Sequence, residues 1–198
     1  MTTFFLVRHA MHALVDRVLI GRMSGVHLNL QGRLQAKRLG MRFAQERLTL
    51  VQSSPRERAQ ETAQAIALAA GAPLEIASAL DEIEFGEWTG RPFDRLKEDP
   101  DWRAWNSERT RARAPNGETM SEAQTRIVAH LERMHMRYPG ARIAIVTHAE
   151  IIRAAVLHHL GLALEAFDRI EISPASVTIL RIGQEDAELT ALNQAVAA

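Results

Sequence analysis

The run Arg142–Thr147 (RIAIVT) passes without a linker into His148 and a helix-forming stretch that closes at Gly161. Six residues of this kind are long enough for a strand covered on both faces and too short for a helix. A covered strand feeding directly into a helix is the repeating unit of an α/β sheet with right-handed crossovers. The chain opens in the same manner, with the apolar run 3–7 (TFFLV) ahead of a loop rich in His, Gly and Arg. Leu30, Leu34, Leu39 and Phe43 then recur at helical spacing, which predicts a helix over 30–48. Residues 49–52 read as a second strand. Ser54-Pro55-Arg56-Glu57 reads as a helix start, with Ser54 as N-cap, Pro in the first turn and Glu three places on. That helix stops near Gly71 and a strand over 73–76 follows. A helix from Thr119 or Ser121 to Tyr138, and late strands over 177–182 and 188–192, complete the pattern. The expected fold is a three-layer α/β sandwich, a mostly parallel central sheet flanked by helices. Residues 80–118 hold all three tryptophans with Pro and Gly interruptions, and read as a helical insertion or lid on a single domain spanning 1–198.

Composition narrows the function. With 198 residues, 46% hydrophobic and 24% charged, the chain has a core and the surface of a soluble globular protein. Lys plus Arg equals Asp plus Glu at 24 each, so no broad positive field exists for nucleic acid or an anionic membrane. The absence of cysteine excludes a disulfide scaffold, a cysteine-ligated metal and a thiol nucleophile, and fits a cytoplasmic protein. The first apolar run is too short for a signal sequence or a membrane span. All cations but Lys37 and Lys97 are arginines, the better residue for bidentate contacts to oxyanions.

Ligands of open α/β sheets sit beyond the carboxyl ends of the strands. There the chain places Arg8-His9 after the first strand, Ser53-Ser54 and a helix turn bearing Arg58 after the second, and His148 at a helix start after RIAIVT. Two arginines, two histidines and a helix N-terminus suit a tetrahedral dianion. Taken singly, a histidine at a strand end or an arginine on a helix turn is ordinary structure. The weight lies in three strand ends carrying such groups together.

Four segments in order also resemble the histidine phosphatase superfamily, the phosphoglycerate mutase-like group. They are Leu6-Val7-Arg8-His9-Ala10, the stretch from Ser54 through Arg58-Ala59 to Thr62-Ala63, Leu80-Asp81-Glu82-Ile83-Glu84-Phe85-Gly86-Glu87-Trp88-Thr89-Gly90, and Ile145-Val146-Thr147-His148-Ala149. The resemblance implies a metal-independent phosphomonoester hydrolase, without a cofactor, acting on a small phosphorylated substrate. His9 would be the nucleophile that becomes phosphohistidine, its other ring nitrogen held by a backbone carbonyl. Arg8, Arg58 and His148 would bind the phosphoryl oxygens, and Glu82 would be the general acid, with Glu84 its rival two places on. Ala10 and Ala149 stand where the family carries glycine, and Met11, His12 and Val15 where it often carries polar groups. Those departures motivate two alternatives: a non-catalytic phospho-ligand binder and a phosphoglycerate-type mutase.

Other features have plainer readings. Gly21 and Arg22 lie in the loop after the first strand and are candidates for the substrate pocket. His9-x-x-His12 has the look of a metal pair without a third ligand, so no metal site is expected. Arg109, Arg111 and Arg113 read as a solvated basic stretch, Trp88 as a packing anchor, and His158-His159 as favourable charges at a helix end. The aliphatic late strands leave an edge suited to a homodimer.

Overall fold

The computed structural model describes residues 1–195. Six strands form one sheet in the order β3-β2-β4-β1-β5-β6. They are β1 (Thr2–Arg8), β2 (Leu50–Ser53), β3 (Leu74–Ile76), β4 (Arg142–Thr147), β5 (Val177–Ile182) and β6 (Ala187–Gln194). The first four are mutually parallel, β5 runs antiparallel to β1, and β6 runs antiparallel to β5. The central pair β1 and β4 aligns Phe4 with Ile143 and Arg8 with Thr147, so the chain leaves both strands at the same level.

Period-two alternation in these strands builds the three layers. Phe4, Leu6, Ile143 and Ile145 face one side and pack with α5 (Met120–Arg137) and α6 (Ala149–His159). Phe5, Val7, Ala144 and Val146 face the other and pack with α1 (Leu30–Phe43) and α2 (Glu57–Ala70). Both faces are covered, which is why these strands read as unbroken apolar runs.

The helix ends follow local chemistry, with two departures from the sequence reading. Asn29 caps α1 by accepting from the Gly32 N–H at 2.8 Å. Gly32 lies against the loop that follows β1; a Cβ there would overlap the Met11 carbonyl oxygen. The helix ends at Phe43 rather than running to 48, and Glu46 turns to pair with Arg142 at the start of β4. Ser54 does not cap α2 through its side chain. That helix begins at Glu57 with Arg56 at the cap position, and the Ser54 hydroxyl, two places earlier, accepts from the Arg56 N–H at 3.3 Å and from His148 at 2.8 Å. Gly71 ends α2 in the left-handed conformation, φ 63°. Thr119 and Glu122 form a reciprocal capping box at the start of α5.

Between β3 and α5 the chain makes two short 3-10 turns and the helices α3 (Phe93–Leu96) and α4 (Pro100–Ser107). Trp88 and Trp102 meet edge to face at 5.2 Å, Trp102 stacks on Trp105 at 5.5 Å, and Phe85 contacts Trp105 at 5.4 Å. This aromatic cluster joins the main core and closes over the carboxyl ends of the parallel strands. No helix among the described residues is long and apolar enough to cross a membrane.

Candidate active site

A cavity of about 350 Å³ opens at the carboxyl ends of the parallel strands. Arg8, His9, Arg58 and Glu82 line it, with Gly21 and His12 beside them. His148 is fully buried beneath these residues, behind the cavity lining: its ring centroid is 5.2 Å from that of His9, and Arg58 reaches its Nδ1 at 3.2 Å. Residues 8, 9, 58, 82 and 148, read separately from the sequence, converge here.

Each side chain is held by the element that carries it. His9 follows β1, and its backbone N–H bonds to the Thr147 carbonyl, tying it to β4. His9 Nδ1 lies 2.9 Å from the Ala10 carbonyl, which can only accept, so the proton sits on Nδ1 and Nε2 keeps its lone pair. Ala10 donates its N–H to Thr62 and is itself fully buried in the apolar layer beneath α1 and α2. His148 has the opposite tautomer. Arg58 donates to Nδ1, so Nε2 carries the proton and donates it to the Ser54 hydroxyl.

The arginines are left with donors to spare. Arg58 is fully buried, gives one N–H to the Gly21 carbonyl at 2.7 Å, and has no partner for Nε or Nη1 among the described residues. Arg8 donates to the Ile172 carbonyl at 2.7 Å, and its Nε is likewise unpartnered. Buried guanidinium N–H groups without acceptors are costly, and an oxyanion in the cavity removes that cost.

Burial and these two cations set the protonation states. Burial first, then Arg58 and Arg8, hold His9 well below its ordinary pKa. His148 is lowered in the same way, and His12 is pulled down to about 4. Burial lowers Arg58 to about 10, still charged at neutral pH. Glu82 moves oppositely. Burial, reinforced by Glu150, raises its carboxyl to about 7 against the opposing effects of the Ile83 N–H, Arg58 and Arg8. The site therefore holds neutral imidazoles, two cations and a carboxyl poised between its two forms.

Glu82 accepts from the Ile83 N–H at 2.9 Å through one oxygen and lies 3.9 Å from His148 Nδ1 through the other. Its rival Glu84 points away from the cavity, toward Arg22 at 3.3 Å. Gly21 lines the cavity, but Arg22 does not. Its guanidinium turns beneath the loop to Glu118, Glu84 and the Glu82 carbonyl, because three acceptors lie there. Arg109, read as solvated, is only 3% exposed and lines the outer wall. It lies between the rings of Trp105 and Phe167, at 3.8 and 3.5 Å from their centroids, and pairs with Glu150 at 2.9 Å. The sequence reading also missed Asp16, Glu150 and Arg153 on the wall. Glu150 alone carried a signal, two places after His148 in the first turn of α6.

No group of three or more His, Asp or Glu side chains among the described residues is arranged to hold a metal ion. A larger groove of about 1000 Å³ lies at the opposite end of the sheet, beside Met1, Gly140 and the β5–β6 turn, and contains none of the converged groups.

The strand-end cradle and its order along the chain define a class. The chain belongs to the histidine phosphatase superfamily (branch 1), whose model matches residues 4–195. Among named relatives, phosphoserine phosphatase 1 of Hydrogenobacter thermophilus is 27% identical over 98% of this chain and 92% of that protein. A probable phosphoglycerate mutase, GpmB, of Salmonella choleraesuis is 30% identical over 95% of this chain and 87% of that protein. The solved structure of Bacillus stearothermophilus YhfR superposes with a TM-score of 0.90 at 24% identity, covering 98% of each chain, and establishes the shared phosphoglycerate mutase-like α/β fold.

Proposed function

We propose that the protein is a metal-independent phosphomonoester hydrolase that acts on a small phosphorylated metabolite through a phosphohistidine at His9. One observation carries the reading: an imidazole fixed with a bare Nε2 shares a small cavity with buried arginine N–H groups that have no acceptor. The positive charge that phosphoryl transfer requires comes from Arg8 and Arg58.

The steps balance on residues of this chain. His9 Nε2 attacks phosphorus as the bond from phosphorus to the ester oxygen breaks. The departing alkoxide takes the proton of the Glu82 carboxyl. The resulting carboxylate removes a proton from water, which attacks the phosphohistidine; the N–P bond breaks, inorganic phosphate forms, and Glu82 is again protonated. An acid is needed first and a base second, and Glu82 serves as both in turn. A pKa of about 7 suits both duties at neutral pH.

Hydrolysis of para-nitrophenyl phosphate in EDTA tests the reading. His9→Ala is expected to lower kcat by at least ~10⁴-fold and to abolish an acid-labile phosphoenzyme trapped by rapid quench. Equal rates in the two proteins would overturn it. Release of an isomeric phosphate ester in place of inorganic phosphate would assign a mutase instead.

A further inference from the structure

Behind Glu82, on the side away from the cavity, lies a charged cluster with no part in binding substrate. Glu118, immediately before the cap of α5, accepts through a single oxygen from Arg22 at 2.8 Å, Arg126 at 3.0 Å and the Glu84 N–H at 3.0 Å. Both arginines also donate to carbonyls of the segment that carries the acid. Arg22 Nε donates to the Glu82 carbonyl at 2.7 Å. Arg126 donates to the carbonyls of Ala79 and Asp81, each at 2.8 Å, and more distantly to that of Glu82. Asp81 completes the frame by accepting from the Glu82 N–H at 2.9 Å, and it is itself paired with Arg56 at 2.9 Å.

A short 3-10 turn running into an irregular loop, as at Ser78–Leu80 and the residues after it, normally leaves many of its carbonyls to water. Here three carbonyls in four residues are taken by two guanidinium groups that share one carboxylate, Glu118. Charge-assisted bonds of this length are directional. They set the peptide plane at Glu82, and with it the direction of the Cα–Cβ bond toward the cavity.

We infer that Glu118, acting through Arg22 and Arg126, is the positioning residue for the general acid. The inference rests on the proposed role of Glu82. Glu118 touches no substrate, and its removal leaves His9, Arg8, Arg58 and His148 in place. The consequence is selective. A displaced acid slows departure of an alkoxide, which needs a proton, and hardly affects departure of a nitrophenolate, which does not.

The test compares single-turnover phosphorylation of the enzyme by an alkyl phosphate and by para-nitrophenyl phosphate. Glu82→Gln calibrates it and should slow the alkyl ester far more than the aryl ester. Glu118→Ala is expected to slow the alkyl ester roughly 30-fold and the aryl ester less than about 3-fold. Glu118→Gln, which keeps an acceptor oxygen, should recover part of the loss. Glu122→Ala breaks the capping box and the Arg113 pair on the same helix end without touching the Glu82 carbonyl, so it should slow both esters alike or neither. If Glu118→Ala does not fold, Arg22→Ala takes its place with the same expected selectivity. Selective loss in Glu82→Gln with unselective rates in the Glu118 variants overturns the inference and leaves the acid in place. No selectivity in Glu82→Gln overturns the role of Glu82 itself.

Discussion

Arg58 and Arg109 line the same cavity and are almost equally buried, at 0% and 3% exposed, yet they sit in opposite circumstances. Arg58 at the floor gives Nη2 to the Gly21 carbonyl and to His148 Nδ1 and leaves Nε and Nη1 without an acceptor among the described residues. Arg109 on the outer wall gives Nη1 to Glu150 and Nη2 to Asn106, lies between two aromatic rings, and leaves only Nε over. A buried arginine whose partners are protein is part of the scaffold. A buried arginine whose donors face a cavity is completed by something that enters it.

The contrast breaks if the two substitutions behave alike. Arg58→Ala should cost roughly 10³-fold in kcat/KM, the scale of removing one preorganised donor from a developing oxyanion, with little loss of stability because an unsatisfied buried cation leaves with it. Steady-state kinetics and urea unfolding on the same sample measure both. A loss below tenfold would place Arg58 with the scaffold. The next effect concerns the acid. For an alkyl phosphate, kcat/KM should fall about tenfold per pH unit as pH rises through about 7, because the Glu82 carboxyl loses the proton it must donate. His9 and His148 stay neutral well below their ordinary range, so they impose no matching loss just under neutrality. A pH–rate profile with no decline between pH 7 and 9 would refute the assignment. The smallest effect on rate belongs to the wall. Arg109→Ala should change kcat/KM by less than about tenfold yet destabilise the fold by roughly 3 kcal/mol, since it empties the space between Trp105 and Phe167 and removes a buried partner from Glu150. Urea unfolding checks the second half of that expectation.

The same contrast explains what could be read from the chain. The floor was legible because β1 and β4 are covered on both faces and announce themselves as apolar runs, so the residues at their ends fall at known places. His9 and His148 needed only that rule. The wall was not legible because its contacts are tertiary. Arg109 depends on Trp105, Glu150 and Phe167, which come from three elements, and nothing in its own neighbourhood separates it from Arg111 and Arg113. Arg22 was noticed for its place near the cavity, but its acceptors on the loop and on α5 turn it the other way. Ser54 was misread for a related reason. Its hydroxyl suits a helix cap by local rules, but the cap position falls two places further on, and the hydroxyl is shared between the Arg56 N–H and a histidine ninety-four residues along the chain.

At position 32, the methyl group of alanine is the change that helix propensity favours, by about 1 kcal/mol. In this protein that one methyl would drive against the Met11 carbonyl and push the segment that starts at His9. The distance between the nucleophile and its arginines is thus guarded by an atom that is missing, on a helix that never reaches the cavity. Attempts to harden the enzyme by replacing helical glycines would strike its chemistry first at the place where they looked safest.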